Sequence, residues 1–255
     1  MMKQKIIVPL LSIILFCPPV IAQVSIKDSS IFIPMVYATY SYQFPGGDLA
    51  NRYGSNSSIG GGFLFKIKSN WIFGAEGNYL FGGNVKNSDE LLRDISTPDG
   101  FVIDANGYYA DIAYYERGYN FYAKFGKLFP VLSPNPNSGI VLMAGAGFLQ
   151  HKIRIHSTTG NDAPQILGDY MKGYDHLSNG FAVNGSLGYM YLGSTRLLNF
   201  YLGFEFTQAW TKNKRDRDFD TGLHDSKKYS DQFYGIKVCW IIPLYKRTPK
   251  AYYLY

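Results

Sequence analysis

Trp71–Phe81 reads WIFGAEGNYLF, and its alternation decides the fold. Trp71, Phe73, Ala75, Gly77, Tyr79 and Phe81 form one series; Ile72, Gly74, Glu76, Asn78 and Leu80 form the other. Successive strand side chains point to opposite faces, so one face is apolar and aromatic while the other carries a carboxylate and an amide. That inverts the usual soluble arrangement if the apolar face meets lipid and the polar face a lumen. Just upstream, Ile59, Gly61, Phe63, Phe65 and Ile67 alternate with Gly60, Gly62, Leu64, Lys66 and Lys68. Only Ser69-Asn70 separates the two segments, which predicts a hairpin with a tight turn.

The period recurs along the chain. Tyr119, Phe121, Ala123 and Phe125 alternate with Asn120, Tyr122, Lys124 and Gly126. Phe181–Tyr191, Leu198–Phe206 and Tyr234–Trp240 repeat the pattern, with Asn184, Glu205 and Lys237 on their polar faces. Pro34–Phe44 and Gly139–Gln150 are apolar enough for strands, but their faces are less distinct. Eight segments result, each near the roughly 9–11 residues of a tilted membrane strand. The expected fold is an all-β, transmembrane, antiparallel up-and-down barrel of eight strands, or ten if Phe101–Tyr115 forms an extra hairpin.

Connection lengths alternate in the same sense. Ser69-Asn70, Pro130–Ser138 and Leu192–Thr195 are short, whereas Pro45–Ser57, Gly82–Glu116, Ser157–Asn179 and Thr211–Lys228 are long. Outer-membrane barrels place short turns in the periplasm and long loops outside. Composition agrees: 17% aromatic residues, with 22 tyrosines, 18 phenylalanines and 27 glycines, accompany a mean hydropathy of only −0.11. Two opposite faces cancel in that average.

The N-terminus reads as a signal peptide over residues 1–22. Lys3 and Lys5 precede the apolar run Ile6–Phe16, and Val20-Ile21-Ala22 offers a cleavage site that leaves Gln23 first. Cys17, followed by two prolines and preceded by Phe16, is a poor lipidation site. Cleavage lowers the net charge from +6 by two and leaves Cys239 as the sole cysteine. No apolar stretch after Ala22 is long enough for a membrane helix, so membrane residence requires a closed barrel. The expected organisation is a barrel over residues 23–245 and a short periplasmic tail over 246–255. The charge excess is mild and no basic run is interleaved with aromatics, which argues against nucleic acid as a partner.

Candidate site residues fall into two groups. Lys66, Glu76, Lys124, Glu205 and Lys237 occupy inward positions, and a narrow barrel would bury them as a structural polar network rather than an open conduit. Lys212, Lys214, Arg215, Asp216, Arg217, Asp218 and Asp220 make the fourth long loop the most charged part of the chain. They offer a contact surface for lipopolysaccharide or an envelope protein; the plainer expectation is a solvated loop paired with itself. The D-x-D-x-D spacing of Asp216, Asp218 and Asp220 lacks the glycine and closing glutamate of a calcium loop. The four histidines show no tight ligand spacing and read as solvated, so neither a metal nor another cofactor is expected. His156-Ser157 and His224-Asp225-Ser226 supply residue types for hydrolysis, yet adjacent residues rarely align for proton relay, and no catalytic residues are assigned.

Three stretches carry a resemblance: ERGYNFYAKFGKLFP (116–130), KGYDHLSNG (172–180) and VCWIIPLYKR (238–247). With them the mature chain resembles the small outer-membrane β-barrel proteins of the Bacteroidota. That implies an outer-membrane location and contact with outer-membrane lipid and lipopolysaccharide. Separately, Gly235 followed by apolar Val238 and Trp240 resembles the terminal-strand signal read by the barrel-assembly machinery, from which the chain departs by running on to Tyr252-Tyr253-Leu254-Tyr255. Similar barrels include accessory parts of secretion or gliding machinery and passive pores, and no residue role carries over. The expected function is non-enzymatic binding or accessory work through loops and tail. A passive channel for small or hydrophobic molecules, with lateral exit at Gly60–Gly62 or Gly145–Gly147, is the main rival. Lipid-modifying catalysis is the third reading.

Overall fold

The computed structural model describes residues 29–157, 163–193 and 197–244; the signal-peptide and tail assignments lie outside them. Eight antiparallel strands close in chain order into a barrel. They are β1 (Ile33–Gly47), β2 (Asn56–Lys66), β3 (Trp71–Gly82), β4 (Ile112–Phe129), β5 (Gly139–Ser157), β6 (Ser178–Leu192), β7 (Asn199–Asn213) and β8 (Lys228–Pro243). The ring is sealed by β1 against β8, from Met35 opposite Pro243 to Gly47 opposite Asp231. Full closure leaves no strand edge. The ten-strand alternative does not form: Phe101–Tyr115 contributes only single bridges, Val102 to Ser96 and Ile103 to Tyr109, before the chain enters β4. β4 and β5 run to 18 and 19 residues, well beyond a minimal span, so the wall rises past the apolar belt and carries the loops.

Each assigned face is the observed one. Ile59, Phe63, Tyr79, Phe121, Phe125, Phe181, Phe204, Tyr234, Ile236 and Trp240 point outward and are exposed. The two ambiguous strands resolve as well: Thr39, Ser41 and Gln43 of β1, and Val141, Met143 and Leu149 of β5, are buried inside. In β5, Ile140, Leu142 and Phe148 alternate with equally apolar inward residues, so hydropathy alone does not separate its faces. The β2–β3 turn is wider than expected. Asn70 N–H donates to the Ile67 carbonyl, and Asn70 takes a left-handed φ of 64°, a conformation asparagine tolerates better than most residues.

Inside, side chains are layered by depth. Four residues separate each layer along a strand: Ile72, Glu76, Leu80 in β3; Tyr201, Glu205, Ala209 in β7; Phe233, Lys237, Ile241 in β8. Ile72, Tyr201 and Ile241 belong to an apolar cluster at the short-turn end with Ile33, Met35 and Val141. Leu80, Ala209 and Phe233 belong to a second cluster at the long-loop end with Leu49, Tyr53, Leu91, Leu92 and Tyr174. The charged layer lies between them. Inward glycines make room for it: a Cβ on Gly62 would sit 2.9 Å from the Tyr37 hydroxyl, and one on Gly203 2.5 Å from the Tyr201 hydroxyl. Backbone crowds the same positions, with the Ala75 carbonyl oxygen 2.1 Å from a Cβ on Gly62 and the Leu187 carbonyl oxygen 2.5 Å from one on Gly203, so close approach of strand and ring together accounts for these glycines. No helix among the described residues is long and apolar enough to cross a membrane, which says nothing about strands.

Candidate functional site

Four of the five expected lumen residues meet. Lys237 Nζ lies 2.5 Å from Glu76 Oε1 and 2.8 Å from Glu205 Oε2. Lys124 Nζ lies 3.7 and 3.8 Å from the same two carboxylates. Two cations and two anions thus alternate around the bore. Neutral groups complete them: Tyr37 donates to Glu76 Oε2 at 2.7 Å, Asn78 donates to Glu76 Oε1 at 3.0 Å, and Lys124 donates to Asn184. All four charged side chains are almost fully buried. Burying such charges is tolerable only where each is paired and its remaining hydrogen-bonding capacity is used. Asn78 and Asn184 lie on the polar faces that the alternation assigns to the lumen; Tyr37 does not stand out in the sequence, because the faces of its segment are less distinct there.

Lys66 does not join this set, contrary to expectation. Its ammonium donates to Ser30 Oγ at 2.9 Å, Asn137 Oδ1 at 2.8 Å and the Ile31 carbonyl at 3.3 Å. It therefore pins the segment entering β1 to the β4–β5 turn and helps close the short-turn end. Inward parity placed Lys66 in the lumen correctly; its depth, ten residues from Glu76 along the chain and at the strand terminus, sets it apart.

At the other end the four long loops interlock. Arg215 Nε and Nη2 donate to the two oxygens of Asp175 at 2.7 and 2.5 Å. That charge-assisted fork holds the Arg215 pKa above its ordinary value, with burial opposing. Arg52 lies 3.8 Å from Asp225, Lys227 lies 3.4 Å from Asp48, and the Phe219 N–H donates to the Gly173 carbonyl. Of the charged stretch expected as the fourth loop, Arg215, Asp218 and Asp220 are engaged inward and Lys214, Asp216 and Arg217 stay exposed, while Lys212 is exposed at the end of β7 rather than in the loop. The expected self-paired loop is thus half of the picture, because its strongest partner belongs to the β5–β6 connection.

Two histidines depart from the solvated reading. His151 is inside the barrel wall, with Nε2 3.0 Å from Asp231 Oδ2, which also accepts from Thr211 at 2.5 Å. His176 is 12% exposed; its Nε2 lies 3.1 Å from Asp220 Oδ2 and its Nδ1 3.8 Å from Asp218 Oδ2. His156 and His224 are exposed as expected. The sequence signal for the first was parity: His151 continues the inward series Val141, Met143, Leu149. Nothing local marked His176, whose acidic neighbours come from another loop. The exposed His224 ring has its Nδ1 3.0 Å from the Asp216 carbonyl oxygen.

No protein-family model matches the chain, and a comparison with curated proteins finds no match. Among solved structures, Neisserial surface protein A shares 13% identity and a TM-score of 0.38, covering 81% of this chain and 96% of that one. The attachment invasion locus protein Ail of Yersinia pestis, solved with the heparin analogue sucrose octasulfate, shares 10% identity, with a TM-score of 0.40 and coverage of 83% and 99%. The outer membrane protein AlkL, solved in lipid bilayers, shares 8% identity, with a TM-score of 0.38 and coverage of 89% and 98%. Likeness at this level carries nothing about function.

Proposed function

We propose that this chain is an outer-membrane barrel that is closed to solutes and works as a non-enzymatic binding or accessory protein through its interlocked long loops. One observation carries the reading: an apolar, aromatic exterior encloses a bore filled by the Glu76–Lys124–Glu205–Lys237 layer between two apolar clusters. The exterior suits hydrocarbon and its aromatic residues suit the interfaces. The bore has no role in passage, because an ion crossing it would have to displace paired, desolvated charges. Function then belongs to the surface that remains, the loop layer with its exposed Lys212, Lys214, Asp216 and Arg217. Envelope lipid, lipopolysaccharide and another envelope protein are the partners this surface would meet.

Two measurements test the reading. Purified protein reconstituted in planar bilayers is expected to give no steady conductance; stable single-channel steps would return the passive channel to the front. Mild-detergent purification from outer membranes, read by native mass spectrometry, is expected to yield the chain with a stoichiometric partner or retained lipopolysaccharide. A bare monomer that hydrolyses lipid would sink both the accessory role and the non-enzymatic assignment.

A further inference from the structure

We propose that His176 and Asp218 form a divalent-metal site, of the zinc type, that clasps the β5–β6 connection to the β7–β8 connection, with Asp220 as the positioning residue for the histidine. The ligand atoms of His176, Asp218 and Asp220 lie within 4.8 Å of one another. A carboxylate oxygen can only accept, so the 3.1 Å contact fixes the His176 Nε2–H on Asp220. In a neutral imidazole that leaves Nδ1 as the lone pair. Nδ1 is buried without a hydrogen-bond partner among the described residues, and it faces Asp218 Oδ2 at 3.8 Å. That separation is too long for a hydrogen bond. It is of the span that two bonds of about 2.0–2.2 Å to one ion would bridge after a small adjustment.

Asp218 supplies the second half of the case. Its carboxylate is 2% exposed, and its hydrogen bonds, 2.9 and 2.7 Å, come from the neutral Asn213 amide. A buried anion with only a neutral donor facing an unpartnered lone pair is a donor set that a small cation satisfies at once. The carboxylate–histidine–ion arrangement with Asp220 behind the ring is how protein sites fix tautomer and ring orientation. One nitrogen among few oxygens favours zinc over calcium, which takes six to eight oxygen ligands, and solvent from the cleft would have to complete the four positions of zinc. Access exists too: His176 and Asp220 also line a cleft at the loop surface, whose other charged walls are Arg52, Lys86 and Glu90, so an entering cation meets both signs of charge.

Equilibrium dialysis of zinc alone against the detergent-solubilised, untagged full chain tests the proposal, with metal read by elemental mass spectrometry. The expected result is one zinc per chain. Asp218→Asn and His176→Ala should each weaken binding at least tenfold, while His224→Ala leaves it unchanged. Asp218→Asn preserves shape, so the test stands even if His176→Ala fails to fold. Absence of a saturable site at 100-fold excess zinc, wild-type affinity in Asp218→Asn, or loss in His224→Ala would each overturn it.

Discussion

The middle of the barrel and the loop layer use the same chemistry, amino or guanidinium groups against carboxylates, under opposite conditions of burial. In the middle, Lys124 and Lys237 are enclosed by Glu76 and Glu205 with apolar clusters on both sides. In the loops, the Arg215–Asp175 fork has one partner buried and the other a fifth exposed. Removing one partner from the first setting strands a charge where water cannot follow. Removing Arg215 from the second leaves the buried Asp175 a further, solvent-exposed cation, Lys152, at 3.5 Å. The same type of contact therefore fixes the bore in one place and only fastens a flap in the other.

The largest effect should come from Lys237→Met. It leaves two buried carboxylates to a single lysine, and the cost should approach the ~3–5 kcal/mol typical of a broken buried pair. Urea unfolding of the barrel in lipid vesicles would measure it. The double variant Glu76→Gln, Lys237→Met keeps Lys124 opposite Glu205 and restores neutrality, so it should recover most of that loss. If the double variant is as unstable as the single one, charge balance is not what holds the layer.

Gly203→Val should come next. Its side chain would enter the space of the Tyr201 ring and the Leu187 carbonyl, and overpacking of this kind costs about 1–3 kcal/mol. A stability unchanged from wild type would show that Tyr201 can move away and that the close approach is incidental.

Arg215→Ala should act locally. Asp175 keeps Lys152 at 3.5 Å, so the loss stays near the ~1.5–3 kcal/mol of a charged hydrogen bond and falls on the loops. Limited trypsin digestion should speed up at Lys172 and Lys214 while the unfolding midpoint of the barrel stays put. A matching fall in barrel stability would erase the distinction between the two regions.

The smallest effect is a pH dependence at Asp48. The Ser230 N–H donates to this carboxylate at 2.8 Å and Lys227 stands beside it, so its pKa is held below the ordinary carboxylate range. A group depressed on folding stabilises above its unfolded pKa, and that stabilisation is lost as pH falls through the folded value. Such an exposed pair contributes about 0.2–1 kcal/mol. Hydrogen exchange at Ser230 should therefore accelerate below about pH 4 in wild type, and Asp48→Asn should remove the pH dependence.

Strand count, inward and outward faces, and the alternation of short turns with long loops were legible in the chain, because strand parity acts residue by residue. Even the outward Trp71, Phe73 and Tyr79 and the inward Glu76 follow from it. Depth and neighbourhood did not follow. Parity places Lys66, Glu76, Lys124, Glu205 and Lys237 inside alike, but only the register of each strand against its neighbours sets the height of a residue. That register lifts four of them into one layer and leaves Lys66 at the floor beside Asn137. Loop partners are further still from sequence. His176 meets Asp218 and Asp220, and Arg215 meets Asp175, across some forty residues, because closing the ring brings the β5–β6 and β7–β8 connections side by side.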